Sequence, residues 1–286
     1  MLPVIKAPVD LGTEIADSFV KQMAKDDDYD LLIEKSCQIV CAASGSQIAT
    51  QVKGAVNFEM IKTVWPILRN LNLKTQNRVV SSGLQRIRTC NKTFGSSEIT
   101  NSGVLGYYDR YPRTPFCRKC SWNQNHDADW KTLIPLFQKV NNVHREHAQK
   151  EWNLQAEFVG KAKKDWIIPE TVYSTVTLNK NYRTAYHFDG KNLAGGFSAM
   201  LLLREGHLSG GFLVLPRYRL AIKMDTGDIV LFNGQKELHG NTAISLLTQG
   251  AQRCTLVHYF RKNIVNCLGV QEEAKRAKRY SGGSLR

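Results

Sequence analysis

His187 and Asp189 stand two apart in the stretch NYRTAYHFDGKN, residues 181–192. An imidazole and a carboxylate are two of the three groups that hold a non-haem iron on one face and leave its other positions open for co-substrate and oxygen. If the stretch is extended, residues two apart point the same way and both can face one ion. Taken alone the pair is weak, because two polar residues at the mouth of a turn look the same in sequence. A third ligand has to come from a different strand that returns to the same place. His239, in GDIVLFNGQKELHGN, is the candidate. The intervening residues leave room for three or four strands to go and return.

Arg253 opens the apolar run RCTLVHYF a little further on. A guanidinium is costly to bury without an anion, and it can grip a carboxylate through two parallel hydrogen bonds. An oxygenase that uses 2-oxoglutarate needs such a cation for the distal carboxylate. The blander reading puts Arg253 at a strand end in solvent. The ordered set His-x-Asp, His and Arg specifies far more than any member of it.

The segment around these residues reads as strands. TVYSTVTL, FSAMLLL, GFLVL, RLAIKM, DIVLF and RCTLVHYF are short, apolar or alternating, and are separated by turns at LSGG (208–211) and DTGD (225–228). Six strands without an intervening helix predict an antiparallel sandwich or barrel. Upstream, helical spacing is expected over 13–41, over 58–71 with Pro66 as a kink, and over 129–150. Residues 72–125 read as long loops with short strands. The fold class is therefore α+β, with helices outside a β core. The charged, Gly/Ser-ended tail 269–286 is expected to be disordered.

The chain has 286 residues and a formal net charge of +14. Residues 72–120 carry nine Lys/Arg against Glu98 and Asp109, and residues 261–286 carry seven against Glu272 and Glu273. Such local excess predicts a polyanionic partner, most simply DNA, with phosphate contacts from the 72–120 stretch. No apolar run is long enough to span a membrane, and the start lacks a signal-peptide core. The expected location is intracellular, in a nucleus or a bacterial or host cytoplasm. Seven irregularly spaced cysteines predict reduced thiols. Cys117 and Cys120 with His126 have zinc-like spacing but no second cysteine pair. His144 and His147 share a helical face and are expected to be solvated. His258 should face away from Val257 across the last strand.

The C-terminal half, about 165–268, resembles the TET/JBP branch of 2-oxoglutarate and Fe(II)-dependent dioxygenases, which oxidise the 5-methyl group of pyrimidine bases. The resemblance rests on STVTLNKNYRTAYHFDGKNL, GGFLVLPRY, GDIVLFNGQKELHGN and RCTLVHYFRKN, with a looser match at RTPFCRKCSWNQNHDADW. It implies a double-stranded β-helix (jelly-roll) core buttressed by N-terminal helices. One catalytic domain would span 1–268, helical and loop-rich over 1–165 and β over 166–268. It implies iron ligands at His187, Asp189 and His239, and a 2-oxoglutarate clamp at Arg253 aided by Thr255. Asn192 and Tyr259 would contact a flipped base. Arg261 replaces the histidine that the TET enzymes place near the base, which leaves thymine and 5-methylcytosine both open. The implied cofactors are Fe(II), 2-oxoglutarate and O2, with ascorbate a further reductant or co-substrate to test. Local readings stand beside these roles: Asn192 as a turn cap, Tyr259 as core, Thr255 as a plain strand residue and Arg261 as a solvated charge. The same barrel also serves hydroxylation of protein residues, and could be kept by a non-catalytic nucleic-acid-binding protein.

Overall fold

The computed structural model describes residues 2–75, 78, 81–83, 87–88, 94–95, 100–112 and 114–282. Its strands are β1 (Val4–Lys6), β2 (Leu31–Ile33), β3 (Cys37–Val40), β4 (Gln47–Val52), β5 (Ile87–Arg88), β6 (Phe94–Gly95), β7 (Ser102–Tyr108), β8 (Arg118–Lys119) and β9 (Thr175–Lys180). They continue with β10 (Ser198–Glu205), β11 (Leu208–Gly210), β12 (Leu213–Leu215), β13 (Leu220–Ile222), β14 (Ile229–Phe232), β15 (Gly240–Asn241), β16 (Ile244–Leu246) and β17 (Gln252–Tyr259). The helices are α1 (Gly12–Ser18), α2 (Phe58–Asn70), α3 (Ser121–Asn125), α4 (Asp127–His147), α5 (Gln149–Lys161) and α6 (Val270–Gly282). No helix among the described residues is long and apolar enough to cross a membrane.

Nine strands form a main sheet in the order β1-β3-β4-β14-β10-β17-β9-β7-β8, and four form a second sheet, β15-β12-β13-β2. The reason lies in the alternation along the central strands. On β10, Ala199, Leu201 and Leu203 enter one apolar core while Met200 and Leu202 enter another. On β14, Ile229 and Leu231 take the first side and Val230 and Phe232 the second. A strand apolar on both faces has to be covered on both. The first core is closed by Val64 and Leu68 of α2 and by Leu133, Leu136, Phe137 and Val140 of α4. The second is closed by Leu213, Leu215, Leu220 and Ile222 of the second sheet. Ala16, Ala24, Phe19 and Val20 then cover the outer side of that sheet at Val214 and Ala221. These two facing sheets make a double-stranded β-helix with helices on the outside of the larger one.

Each of the six expected strands contributes to the barrel, and the helices at 58–71 and 129–150 form as α2 and α4. Asn57 caps α2 by accepting from the Met60 amide at 2.9 Å, and Pro66 lies inside the continuous helix. The helix expected over 13–41 is corrected. Only α1 forms, and it buries Ala16 while Ile15 stays exposed. The later leucines and Ile39 belong to β2 and β3, whose Ile33, Cys37 and Ile39 point inward. Helical spacing there comes from two short strands separated by a turn. Residues 4–52 thus supply strands to both sheets, and β4 pairs with β14. The loop-rich 72–125 region holds a seven-residue strand of the main sheet, β7. The tail expected to be disordered is helical over Val270–Gly282, anchored by the buried Glu273; residues 283–286 lie outside the described residues.

Candidate metal centre

The segment carrying His187 and Asp189 runs through isolated bridges rather than a continuous strand: Ala185 with Met23, His187 with His239, and Asn192 with Arg261. The bridge at His187 brings the two histidines together without an intervening strand. Reciprocal backbone bonds, His187 N to His239 O at 2.9 Å and His239 N to His187 O at 3.2 Å, fix them. Their ring centroids lie 4.4 Å apart. One ligand atom from each of His187, Asp189 and His239 lies within 4.8 Å of the others, and this is the single such cluster among the described residues.

Both imidazoles are oriented for a metal. His187 Nδ1 bonds to the Ala185 carbonyl at 2.8 Å, and His239 Nδ1 to the Glu237 carbonyl at 2.9 Å. A carbonyl only accepts, so each Nδ1 carries the proton and each Nε2 keeps its lone pair. Burial first, and then the neighbouring His239, hold His187 below the usual histidine range, which favours the neutral ligand form. Asp189 is held from two sides. Its amide donates to Gly234 O at 2.8 Å, and its Oδ2 accepts from Asn192 Nδ2 at 3.0 Å. A Cβ on Gly234 would sit 2.3 Å from that oxygen, so the loop can approach the carboxylate only with glycine there. The donor set and its supports fit a divalent iron.

Arg253 is 4% exposed. Its Nη2 donates to the Gly211 carbonyl at 2.8 Å, and a Cβ on Gly211 would meet its Nε at 2.9 Å. Among the described residues no carboxylate pairs with it, and burial lowers its pKa to about 10. A buried guanidinium with spare donors and no counter-ion has the chemistry to hold an anion. Thr255 is buried two residues along, on the same face of β17. On the other face, His258 packs against Phe137 and Tyr173 with centroids at 5.3 and 5.5 Å, opposite to Val257 as expected.

Arg261 is buried and paired, which corrects its reading as a solvated charge. Nε and Nη2 both reach Asp109 Oδ1 at 2.7 Å, with the side chains 5% and 3% exposed. The guanidinium also lies over the Tyr108 ring, 5.3 Å from its centroid. Tyr259 is buried, its hydroxyl 3.3 Å from Thr177 Oγ1. Asn192 uses its amide nitrogen twice, towards Asp189 and towards Ser198 Oγ at 2.9 Å. A carboxylate only accepts, so this contact fixes which end of the amide faces it. Asp109, Ser198 and Gly234 are absent from the sequence-based set. Asp109 had one signal, as a rare acid in a basic stretch.

Other expectations change. Cys117 is bonded to Cys267, 150 residues away, with Cα atoms 5.8 Å apart. Reduced thiols hold for Cys37, Cys41, Cys120 and Cys254, while Cys90 lies outside the described residues. No zinc site forms at Cys117 and Cys120: His126 instead stacks on Trp122 at 5.0 Å. His144 is fully buried with Nδ1 2.9 Å from the Tyr173 hydroxyl. Within the basic 72–120 stretch, Arg78 turns inward to Ser102 Oγ at 3.0 Å. Arg86, Lys92 and Arg113 lie outside the described residues, as does the side chain of Arg88.

A family model, Tet_JBP, described as the oxygenase domain of the 2OGFeDO superfamily, matches residues 103–262. The chain belongs to the Tet/JBP oxygenase family. The Tet/JBP match contains every candidate residue from Asp109 to Arg261 and leaves out β1–β4 and α6. Among curated relatives, the bifunctional helicase and thymine dioxygenase JBP2 of Trypanosoma brucei brucei is 27% identical over 263 residues, 89% of this chain and 23% of that protein. Thymine dioxygenase JBP1 of Leishmania major is 30% identical over 190 residues, 65% of this chain and 22% of that protein. The chain therefore spans less than a quarter of either relative. Among solved structures, NgTET1 in complex with 5mC DNA superposes with a TM-score of 0.61 at 13% identity, covering 94% of this chain and 97% of that one. This likeness carries the fold.

Proposed function

We propose that this chain is an Fe(II)- and 2-oxoglutarate-dependent dioxygenase that hydroxylates the 5-methyl group of a flipped pyrimidine in DNA, with thymine the preferred base. The observations that carry the reading are the cluster of His187, Asp189 and His239 and the buried, acid-free Arg253 on β17. The three ligands would hold the iron, and Arg253 with Thr255 would hold the distal carboxylate of 2-oxoglutarate. When bound, iron and 2-oxoglutarate supply the oxidising power of O2 for a C–H bond. The chain's own residues position and exclude. Nδ1 bonding keeps both imidazoles aimed, Asn192 and Gly234 hold Asp189, and Phe232 walls the site edge-on to His239 at 4.9 Å.

A methyl inside a duplex cannot reach a buried site, so the base must be extruded and held by stacking and edge hydrogen bonds. Tyr259 is the proposed stacking ring. Two groups favour thymine at the pairing edge. Asn192 spends its NH2 on Asp189 and Ser198, which leaves its carbonyl to accept, as an N3–H requires. Arg261 is donor-only and held by Asp109, as a C4 carbonyl requires. 5-Methylcytosine inverts both demands. The curated thymine dioxygenases agree with this preference.

The test is incubation with Fe(II), 2-oxoglutarate and duplexes containing thymine or 5-methylcytosine, with and without ascorbate, followed by nucleoside mass spectrometry. Oxidised pyrimidine well above that from His187→Ala is expected, with 5-hydroxymethyluracil in excess over the cytosine product. Equal yields from wild type and variant would overturn the assignment.

A further inference from the structure

The C-terminal helix α6 has an unusual attachment. Its well-buried anchor is a carboxylate: Glu273 is 1% exposed. That group accepts from the amides of Cys117 and Leu268, each at 2.8 Å, and pairs with Arg110. The Cys117–Cys267 disulfide ties the chain down just before the helix starts. A tail that served only to add solubility would need no such fixing. What the anchor holds in place is charge. Lys275, Arg276, Lys278 and Arg279 fall in the middle turns of α6 and make no ion pair among the described residues. Glu272, the acid within reach of them, turns back to the Gly269 amide at 3.1 Å. Lys275, Lys278 and Arg279 are exposed, and their three- and four-residue spacing puts them on one helical face.

Three consecutive residues connect this face to the cleft. Asp109 holds Arg261. Arg110 holds Glu273 of α6. Tyr111, 48% exposed, carries the Lys191 ammonium 3.9 Å from its ring centroid, and Lys191 adjoins Asn192. One short strap therefore joins the base-reading wall, the cleft rim and the basic helix.

We propose that α6 is a phosphate-binding arm that takes the backbone of the duplex on one side of the flipped nucleotide, with Lys275, Lys278 and Arg279 as its contacts. The inference rests on the DNA reading above and adds the surface that holds the flank. Fixed cations without acid partners suit a polyanion, and the strap sets them at a constant offset from the cleft.

The test is the triple variant Lys275→Ala, Lys278→Ala, Arg279→Ala, compared with wild type by anisotropy of a labelled thymine-containing duplex between 50 and 200 mM salt. Each lost contact should flatten the slope of log K against log salt by about 0.9, so a change of roughly two to three is expected. Turnover at low concentrations of a long duplex should fall on the order of tenfold, while turnover of a short oligonucleotide and the melting temperature stay unchanged. Wild-type affinity and salt slope in the triple variant would overturn the arm. A wild type that binds the duplex with the expected slope but oxidises no base would leave the arm standing and sink the activity instead. A wild type that fails to bind the duplex would sink both.

Discussion

One buried arginine stands near the start of β17 and another two residues past its end, and they differ in one respect. Arg253 has a backbone carbonyl and no acid beside it, whereas Arg261 is held by a buried carboxylate. Burial makes both costly. On the proposed reading a ligand supplies the charge that the first lacks, whereas the protein supplies it for the second. The contrast separates a residue that waits for an anion from one that is set in place to act on something else.

The sharpest way to break that contrast is Arg253→Met. Without its cation, the KM for 2-oxoglutarate should rise on the order of 10²–10³-fold, while the protein without co-substrate should melt no lower than wild type, because an unpaired buried charge has been removed. An unchanged KM would mean that Arg253 waits for nothing. Arg261→Met should do the reverse and destabilise by about 3–5 kcal/mol, because Asp109 is left buried and alone. The double variant Arg261→Met, Asp109→Leu should recover most of that loss in a denaturant titration. Failure to recover would show that the pair is not the cause.

A smaller effect separates the two arginines directly. With iron present throughout, 2-oxoglutarate at a hundred times its Kd should stabilise wild type by about 2.7 kcal/mol, and Arg253→Met by less than about 0.5 kcal/mol at the same concentration. The smallest effect lies on the back of the same strand. Burial holds His258 and His144 down to about 4 and 3, so the folded protein resists protonating them while the unfolded chain does not. Their penalty is absent above pH ~6.5 and grows as pH falls towards 4, by about 1.4 kcal/mol per unit for each histidine. A His258→Gln variant should show a shallower acid loss in urea midpoints between pH 7 and 5. An identical slope would remove His258 from the account.

What could be read in advance follows the range of each interaction. His187, Asp189, His239 and Arg253 were legible as a set because residue type and chain order are read directly, although His187 and Asp189 lie on a bridged segment and not on a strand. The core strands were legible because Met200, Leu201 and Leu202 announce a sheet covered on both faces. Asp109 was not, since its partner lies 152 residues away and no periodicity links them. The same holds for Cys117 and Cys267. Residues 31–40 misled because two short strands across a turn imitate helical spacing. The helical tail was missed because its anchor is a buried carboxylate, and no apolar stripe marks it.

The earliest strands find their places beside some of the latest. Val52 pairs with Ile229, and Leu31 with Leu220. During synthesis, at roughly 5–20 residues per second, β2 and β4 must wait on the order of ten seconds for those partners to emerge. Through that interval Ile33, Ile39 and Ile48 are sticky edges without a core. The barrel is therefore built to close late in synthesis, and a fragment starting after residue 100 would leave β13 and β14 open to pairing with other chains.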